Sequence, residues 1–391
     1  MSYRGIDVKA ATATDRPLID YINGDNLDVS DEEDGFYSKD DDDYVIHPKW
    51  KAMINRTSNR VPRRLQRYFV IYVGLLIFTY ISWKTYLGPR WEANRQELRD
   101  MDDTPKTLYG TNMRPDFTDM IQLKTMDEKH LPKGTEGKRL IVVGDLHGCK
   151  EELEALLKKV DFNKENDHLI ATGDMIAKGP DSPGVISLLM SLGASAVRGN
   201  HEDRTLLSIA EQSAHHAPLP GPEEPTDRAS DFLDEESFSH GDYKVRALSK
   251  QFSKKQIHWL SQCPVILRVG PVTGVGNLIV VHAGLVPGIP LERQDPFQVM
   301  NMRTIDLKTR VPSEGREGTP WERFWNYQMK KLPVHERQTV IYGHDRKRGK
   351  RIEKYSKGLD TGCVGGGKLT AMIIEPGKEK LVSVKCKTYI Q

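Results

Sequence analysis

Five short polar motifs, each following a run of apolar residues, carry the side chains in this sequence best suited to chemistry. They are Gly144-Asp145-Leu146-His147-Gly148, Gly173-Asp174-Met175-Ile176-Ala177-Lys178-Gly179, Arg198-Gly199-Asn200-His201-Glu202, His282-Ala283-Gly284 and Gly343-His344-Asp345. Asp145, Asp174, Asn200, His147, His282 and His344 offer oxygen and imidazole ligands without thiolate, a set suited to Zn, Mn, Co or Fe at a hydrolytic centre. Two cations about 3.5–4 Å apart need a bridging carboxylate, and together they lower the pKa of water enough to give hydroxide at neutral pH. A lone His or Asp is more often a core residue or a turn former. Five such motifs at successive strand ends instead point to one shared site. Glycines beside the acids and histidines let the chain turn sharply and approach a ligand closely.

The elements that must position these motifs are legible from hydrophobic period. Leu140–Val143, His168–Ala171, Ala194–Val197, Val265–Val269, Leu278–Val281 and Thr339–Tyr342 read as strands, with a hairpin near Thr370–Ile374 and Leu381–Val384. Glu151–Lys159, with Leu153, Leu156 and Leu157 at helical spacing, and Gly184–Leu192 read as helices. Alternating strand and helix argues for an α/β sheet, and such folds place ligands beyond the carboxyl ends of their strands. Residues 215–242 are Pro-rich and then acidic, an excursion from the core.

The 391 residues carry 57 Lys and Arg against 55 Asp and Glu, so bulk charge gives no sign of a nucleic-acid-coating protein, and no stable nucleic-acid complex is expected. Charge is unevenly spread. Residues 1–45 hold 13 acids and 4 bases, while residues 46–67 hold 7 bases and no acid. The acidic stretch reads as a disordered tail. Ser30 and Ser38 precede acids, as an acid-directed kinase prefers, and Asp15-Arg16-Pro17-Leu18-Ile19 resembles an acidic-dileucine signal for a cytosolic sorting adaptor. An inert solvated tail is the plainer alternative.

Tyr68–Trp83 is sixteen residues without a charge, closed by Arg67 and Lys84; with Tyr86 and Leu87 it reaches a span of 68–87. Crossing hydrocarbon takes about 20 residues, so one transmembrane helix is expected, the alternative being a buried core helix. Charged residues 1–67 precede it, which suits a retained anchor better than a cleaved leader. Five arginines in the fifteen residues before it, against Lys84, Arg90 and Arg95 after it, place the N-terminus in the cytosol and the bulk across the membrane. Residues 88–137 read as a linker with a short helix at Trp91–Arg99. The four cysteines, Cys149, Cys263, Cys363 and Cys386, have no C-x-x-C spacing and leave room for one or two bridges.

The ordered set of five motifs resembles the calcineurin-like metallophosphoesterase superfamily in its phosphoprotein-phosphatase branch, over about residues 138–391. The resemblance implies two mixed β-sheets packed as a sandwich flanked by helices, with two divalent metal ions. It implies that Asp145 and His147 hold the first metal, Asp174 bridges, and Asn200, His282 and His344 hold the second, with His201 as general acid. Ala177-Lys178 departs from the Asp-Arg usual in that branch, so His201 loses its orienting carboxylate and Lys178 replaces a bidentate phosphate grip with a point charge. This Ala-Lys version, with Leu359–Ala371 (LDTGCVGGGKLTA), is similar to the bacterial symmetrical diadenosine tetraphosphatases and their eukaryotic relatives.

Lys178, Arg198 and Arg303 are the expected phosphate contacts, with a buried structural bridge the alternative for Arg198 and a surface ion pair for Arg303. Arg346, Lys347, Arg348, Lys350, Arg351, Lys354 and Lys357 directly follow His344 and would form a cationic shelf for a long polyanion. With the single anchor, these features resemble the fungal vacuolar endopolyphosphatases. That resemblance implies internal cleavage of polyphosphate by a lumenal domain at the vacuolar membrane. Hydrolysis of dinucleoside polyphosphates or mRNA caps is the first alternative, with Phe324, Trp325 and Tyr327 available to stack on a base. Protein phosphatase activity, which Ala177 disfavours, and an inactive membrane adaptor are the others.

Overall fold

A computed structural model describes residues 49–53, 62–102, 120–132, 138–215 and 243–390. The kinase and sorting motifs of the tail, and residues 216–242 of the excursion, lie outside the described residues. The chain divides into two compact units, Met1–Arg90 and Trp91–Gln391.

In the first unit the apolar run forms the helix Arg63–Ser82, continued by a π-helical turn at Trp83–Leu87. Neither element buries a residue, and Phe69 and Phe78 are each 68% exposed. Among the described residues one helical stretch is long and apolar enough to cross a membrane.

In the second unit, two large mixed sheets carry the core. One has the order β14-β13-β2-β3-β4: β2 (Arg139–Val143), β3 (Asp167–Ala171) and β4 (Ser195–Ala196) run parallel, and the hairpin β13 (Lys368–Glu375) and β14 (Lys378–Lys385) joins antiparallel to β2. The other has the order β1-β5-β6-β10-β12-β11, with β1 (Leu123–Thr125), β5 (Ile266–Val272), β6 (Gly276–Val281), β10 (Gln338–Tyr342), β11 (Arg351–Ile352) and β12 (Ser356–Gly358). Here β6, β10 and β12 are parallel, and β5 is antiparallel to β6.

Alternate side chains of each strand explain the layering. Leu140, Val142 and Ile170 from one sheet meet Leu267, Leu278, Val280 and Ile341 from the other. On the outer face of the first sheet, Ile141, Val143 and Leu169 pack against Leu153, Leu156, Val185, Ile186 and Leu260 of three helices. On the outer face of the second, Ile279, Val281 and Val340 pack against Val299, Met300, Trp321 and Phe324. Strands buried on both faces read as continuous apolar runs, and each fully buried aliphatic side chain contributes about 1.5–3 kcal/mol. The expected sandwich is therefore present. A third, three-stranded sheet was not expected: β7 (Thr304–Ile305) lies between β8 (Pro312–Ser313) and β9 (Thr319–Pro320).

The stretch expected as a linker also contributes structure. Helix Gly88–Asp102 runs well beyond Trp91–Arg99, and from Trp91 onward it belongs to the second unit. Met101 is buried in the core cluster with Phe324, Arg310 Nη2 donates to the Asp100 carbonyl at 2.9 Å, and Arg323 pairs with Glu97 at 2.7 Å. Strand β1 pairs in parallel with β5, Leu123 opposite Ile266.

Candidate metal centre

The motifs converge because the strands feeding them end on one side. Asp145 and His147 follow β2, Asp174 follows β3, Asn200 and His201 open the helix Asn200–His215 after β4, His282 follows β6 and His344 follows β10. Their ligand atoms form two groups, His147–Asp174–His201 and Asp174–His282–His344, each gathered within 4.8 Å. Asp174 belongs to both. Its Oδ2 faces His147 Nε2 at 3.5 Å and His201 Nε2 at 3.9 Å, and its Oδ1 faces His282 Nε2 at 3.3 Å. One carboxylate oxygen per group is the disposition of a bridging ligand.

Backbone carbonyls fix the imidazoles. Nδ1 of His147 donates to Ile176 O at 3.2 Å, Nδ1 of His282 to Thr172 O at 2.8 Å, and Nε2 of His344 to Asn301 O at 3.0 Å. This leaves His147 Nε2, His282 Nε2 and His344 Nδ1 as lone-pair donors, the tautomer control found around metal-ligating histidines. Asn200 supplies a test of fit. Its side-chain oxygen lies 3.0 Å from His282 Nε2 and 3.1 and 3.3 Å from the two Asp174 oxygens. Turning the amide would place donors there, but with the oxygen inward a ring of acceptors surrounds a point that a cation would neutralise. Residues and geometry fit a pair of divalent cations.

The titration directions divide the cluster. Burial, with the Lys178 charge, pushes His147 down to about 3 and His201 well below the usual imidazole range. Burial and the His282 and Arg303 charges do the same to His344. Burial alone would lower His282, but the Asp174 charge and hydrogen bond, with the Asp145 charge and the Thr172 hydrogen bond, together raise it to about 10. Burial and the Asp360 charge raise Asp145. The Asp145 carboxylate accepts the His344 N–H at 3.0 Å and lies outside both ligand groups.

Backbone strain is concentrated here. Seven described non-glycine residues have positive φ, and five belong to these motifs: His147 (44°), Asp174 (46°), Ala177 (70°), Lys178 (66°) and His344 (70°). Such conformations cost on the order of 1–3 kcal/mol each and persist where their surroundings over-determine them. Gly343 shows how close the approach is, since a Cβ there would sit 1.8 Å from Asp145 Oδ1.

The expected phosphate contacts separate. Arg198 is drawn into a buried ion pair with Asp203 at 2.9 Å, so its guanidinium braces the loop. Arg303 is buried near His344, with Nη1 donating to Glu314 O at 3.0 Å. Lys178 is half-buried beside His147 and His201. Of the seven cations after His344, Arg348 pairs with Glu322 at 3.1 Å and Lys357 with Glu379 at 2.8 Å, whereas Arg346, Lys347, Lys350, Arg351 and Lys354 are exposed. Phe324 and Trp325 are core residues, and the Tyr327 hydroxyl donates to Asp102 at 2.6 Å, so these aromatics form no platform for a base.

Two residues escaped the sequence reading. Fully buried Glu202 accepts the backbone N–H groups of Asp174, Gly199 and Met175, each at 2.8 Å, and of Ile176 at 3.2 Å; burial and the Asp174 charge push it up to about 7. Buried Asp360 accepts the Gly362 N–H at 2.9 Å, and its charge bears on Asp145. A disulfide, Cys363–Cys386, ties the segment after Asp360 to the end of β14.

Residues 138–363 match the family described as calcineurin-like phosphoesterase. The chain belongs to the calcineurin-like phosphoesterase family. Three similar proteins sit around this phosphoesterase. A symmetrical bis(5'-nucleosyl)-tetraphosphatase of Pectobacterium carotovorum is 37% identical over 149 residues, spanning 37% of this chain and under half, 43%, of the relative. The zinc-dependent endopolyphosphatase of Saccharomyces cerevisiae is 27% identical over 311 residues, covering 73% of this chain and 90% of that one. A crystal structure described as a candidate diadenosine tetraphosphatase is 31% identical, covers 68% of this chain and 98% of that one, and superposes with a TM-score of 0.51.

Proposed function

We propose that this phosphoesterase hydrolyses phosphoanhydride bonds, and that its substrate is inorganic polyphosphate, cut internally. The observation that carries the reading is Asp174 shared between two histidine groups. Asp145, His147, Asp174, Asn200, His282 and His344 would hold two divalent cations (Zn, Mn, Co or Fe). Such a pair supplies a lowered water pKa and positive charge for the phosphoryl oxygens.

The chain's own groups do the rest. Lys178 and Arg303 put cationic charge on either ligand group, where it meets negative charge developing on phosphoryl oxygens. His201, 3.9 Å from Asp174, would act as general acid; its imidazole, held well below the usual range, gives up a proton readily but rarely carries one. Ala177 provides no carboxylate to orient it. A departing phosphate chain is a weak base and needs little protonation, whereas an alkoxide needs much, so the loss suits an anhydride better than a phosphoprotein ester. The exposed cations after His344 suit the further units of a long polyanion.

Diadenosine tetraphosphate is the second reading, favoured by the similarity to the bacterial tetraphosphatases and weakened by the burial of Phe324 and Trp325. The deciding measurement compares full-length protein in detergent on long-chain polyphosphate and on diadenosine tetraphosphate, with product lengths resolved on gels. Metal-dependent shortening through intermediate lengths supports the reading; faster cleavage of the dinucleotide overturns it.

We further infer that the apolar helix spans a membrane, with the N-terminus cytosolic and the catalytic unit lumenal, at the vacuole. The arginine excess before the helix supports that orientation. The Cys363–Cys386 bridge does so independently, since disulfides persist in oxidising compartments. Protease protection on intact organelles tests it: loss of only the N-terminal tail is expected, and digestion of the catalytic unit reverses the topology.

A further inference from the structure

Next to His344, three arginines meet one carboxylate. Asp345 is buried, and Arg316 Nη1 lies 2.7 and 3.0 Å from its two oxygens. Arg348 Nε stands 3.4 Å and Arg303 Nε 3.9 Å from the same group. The second acid in the cluster is Glu322, paired with Arg348. The side chains of Arg303 and Arg348 are 3% and 16% exposed and that of Arg316 35%, so of the three it is Arg316 that reaches solvent.

The turn that carries Arg316 is held in place. It joins β8 to β9, with the Gly315 N–H donating to Ser313 Oγ at 3.0 Å and Thr304 Oγ1 donating to the Gly315 carbonyl at 2.9 Å. One nitrogen of Arg316 serves both oxygens of Asp345, and a guanidinium carries five N–H donors in a rigid fork. Donors therefore remain for a second oxyanion.

We infer that Arg316 is a specificity-determining residue that binds the phosphate next to the one under attack, with Asp345 as the positioning residue that aims it. The inference rests on the phosphoanhydride reading and names the part of the substrate it recognises: an anhydride-linked neighbour, which a simple monoester lacks. Arg316 contacts Asp345, the residue directly after His344, and the exposed cations Lys347, Lys350, Arg351 and Lys354 follow in the same segment of chain. The geometry gives the next phosphate a planar, two-pronged partner before the chain passes to point charges.

The test uses full-length protein in detergent with its cations, and measures kcat/KM on long-chain polyphosphate and on p-nitrophenyl phosphate. In Arg316→Ala the ratio of the two is expected to fall about tenfold, mainly through KM for the chain, as loss of a charge-assisted contact implies. Arg316→Lys, which keeps charge but not the fork, is expected to recover less than half of that loss. Thermal midpoints accompany both variants. A lowered midpoint with an unchanged ratio makes Arg316 a structural ion pair and overturns the inference, as does full recovery by Lys. If the wild-type protein cleaves diadenosine tetraphosphate and not polyphosphate, the substrate reading has failed, and the same ratio measured with the dinucleotide still judges Arg316.

Discussion

The Glu202 carboxylate accepts the backbone N–H of Asp174 at 2.8 Å, so the residue shared by both ligand groups is held by a buried acid 28 positions away. With Gly199, Met175 and Ile176 also donating to it, one side chain staples the loop after β3 to the loop after β4. Glu202→Gln places an amide N–H₂ against backbone donors. A buried donor left unsatisfied costs about 1–3 kcal/mol, so chemical denaturation should show a loss of that size, with weaker cation retention on dialysis.

Asp174→Ala removes the ligand common to both groups. Elemental analysis should find both cations lost, with activity down about a thousandfold or more, the scale on which removed electrostatic stabilisation acts. His344→Ala is expected to lose one cation and keep the other. Chelation of the wild-type protein should abolish activity, and Zn, Mn or Co should restore it.

Arg198 and Arg303 should separate by what they damage. Arg198→Ala strands Asp203 without its buried partner, and breaking such a pair costs about 3–5 kcal/mol; the expected readout is a lower unfolding free energy at unchanged KM. Arg303→Ala is expected to raise KM and lower kcat for polyphosphate. Steady-state kinetics and denaturation on the same preparations decide the matter.

His168 predicts an acid limb in stability. Burial, with the charges of His130 and Lys129, holds its imidazole down at about 4, while its Nε2 pairs with Ser195 Oγ at 2.8 Å and its ring stacks on His130. The folded protein keeps the ring neutral while the unfolded chain protonates it below about 6.5. Its contribution is therefore present above pH 6.5 and is lost as pH falls toward 4. Between pH 7 and 5 the wild-type protein should lose on the order of 1–2 kcal/mol more than His168→Gln. Equal losses would contradict the assignment.

The bridge between Cys363 and Cys386 closes a loop of sequence separation 23 and is expected to contribute about 3 kcal/mol. Alkylation of unfolded protein should modify two cysteines without reductant, Cys149 and Cys263, and four with it.

The site was largely legible because strands buried on both faces announce themselves as runs such as Leu140–Val143, and the polar residue after each run marks a strand end. What stayed hidden did so for identifiable reasons. Strand β1 is three residues with an intermediate and two exposed positions, so it carries no apolar signature. Strands β7, β8 and β9 are two residues each, too short for any period. Glu202 looks like any acid in a helix's first turn, where it complements the dipole, and only the fold shows that it faces the Asp174 loop. Phe324 and Trp325 have the composition of a base-stacking pair, and their burial, not their type, removes them from that role. Seven cations after His344 look alike in one dimension; pairing with Glu322 and Glu379 separates Arg348 and Lys357 from the rest.

The register of β13 against β2, Ala371 opposite Val143, has a bearing on biogenesis. The strand that delivers Asp145 and His147 stays unpaired along one edge until a much later part of the polypeptide has left the ribosome. Contacts that distant along the chain form slowly, so a nascent phosphoesterase passes through an interval with an open, aggregation-prone edge and an unfinished ligand cage. That sheet is therefore completed only once synthesis has passed Glu375.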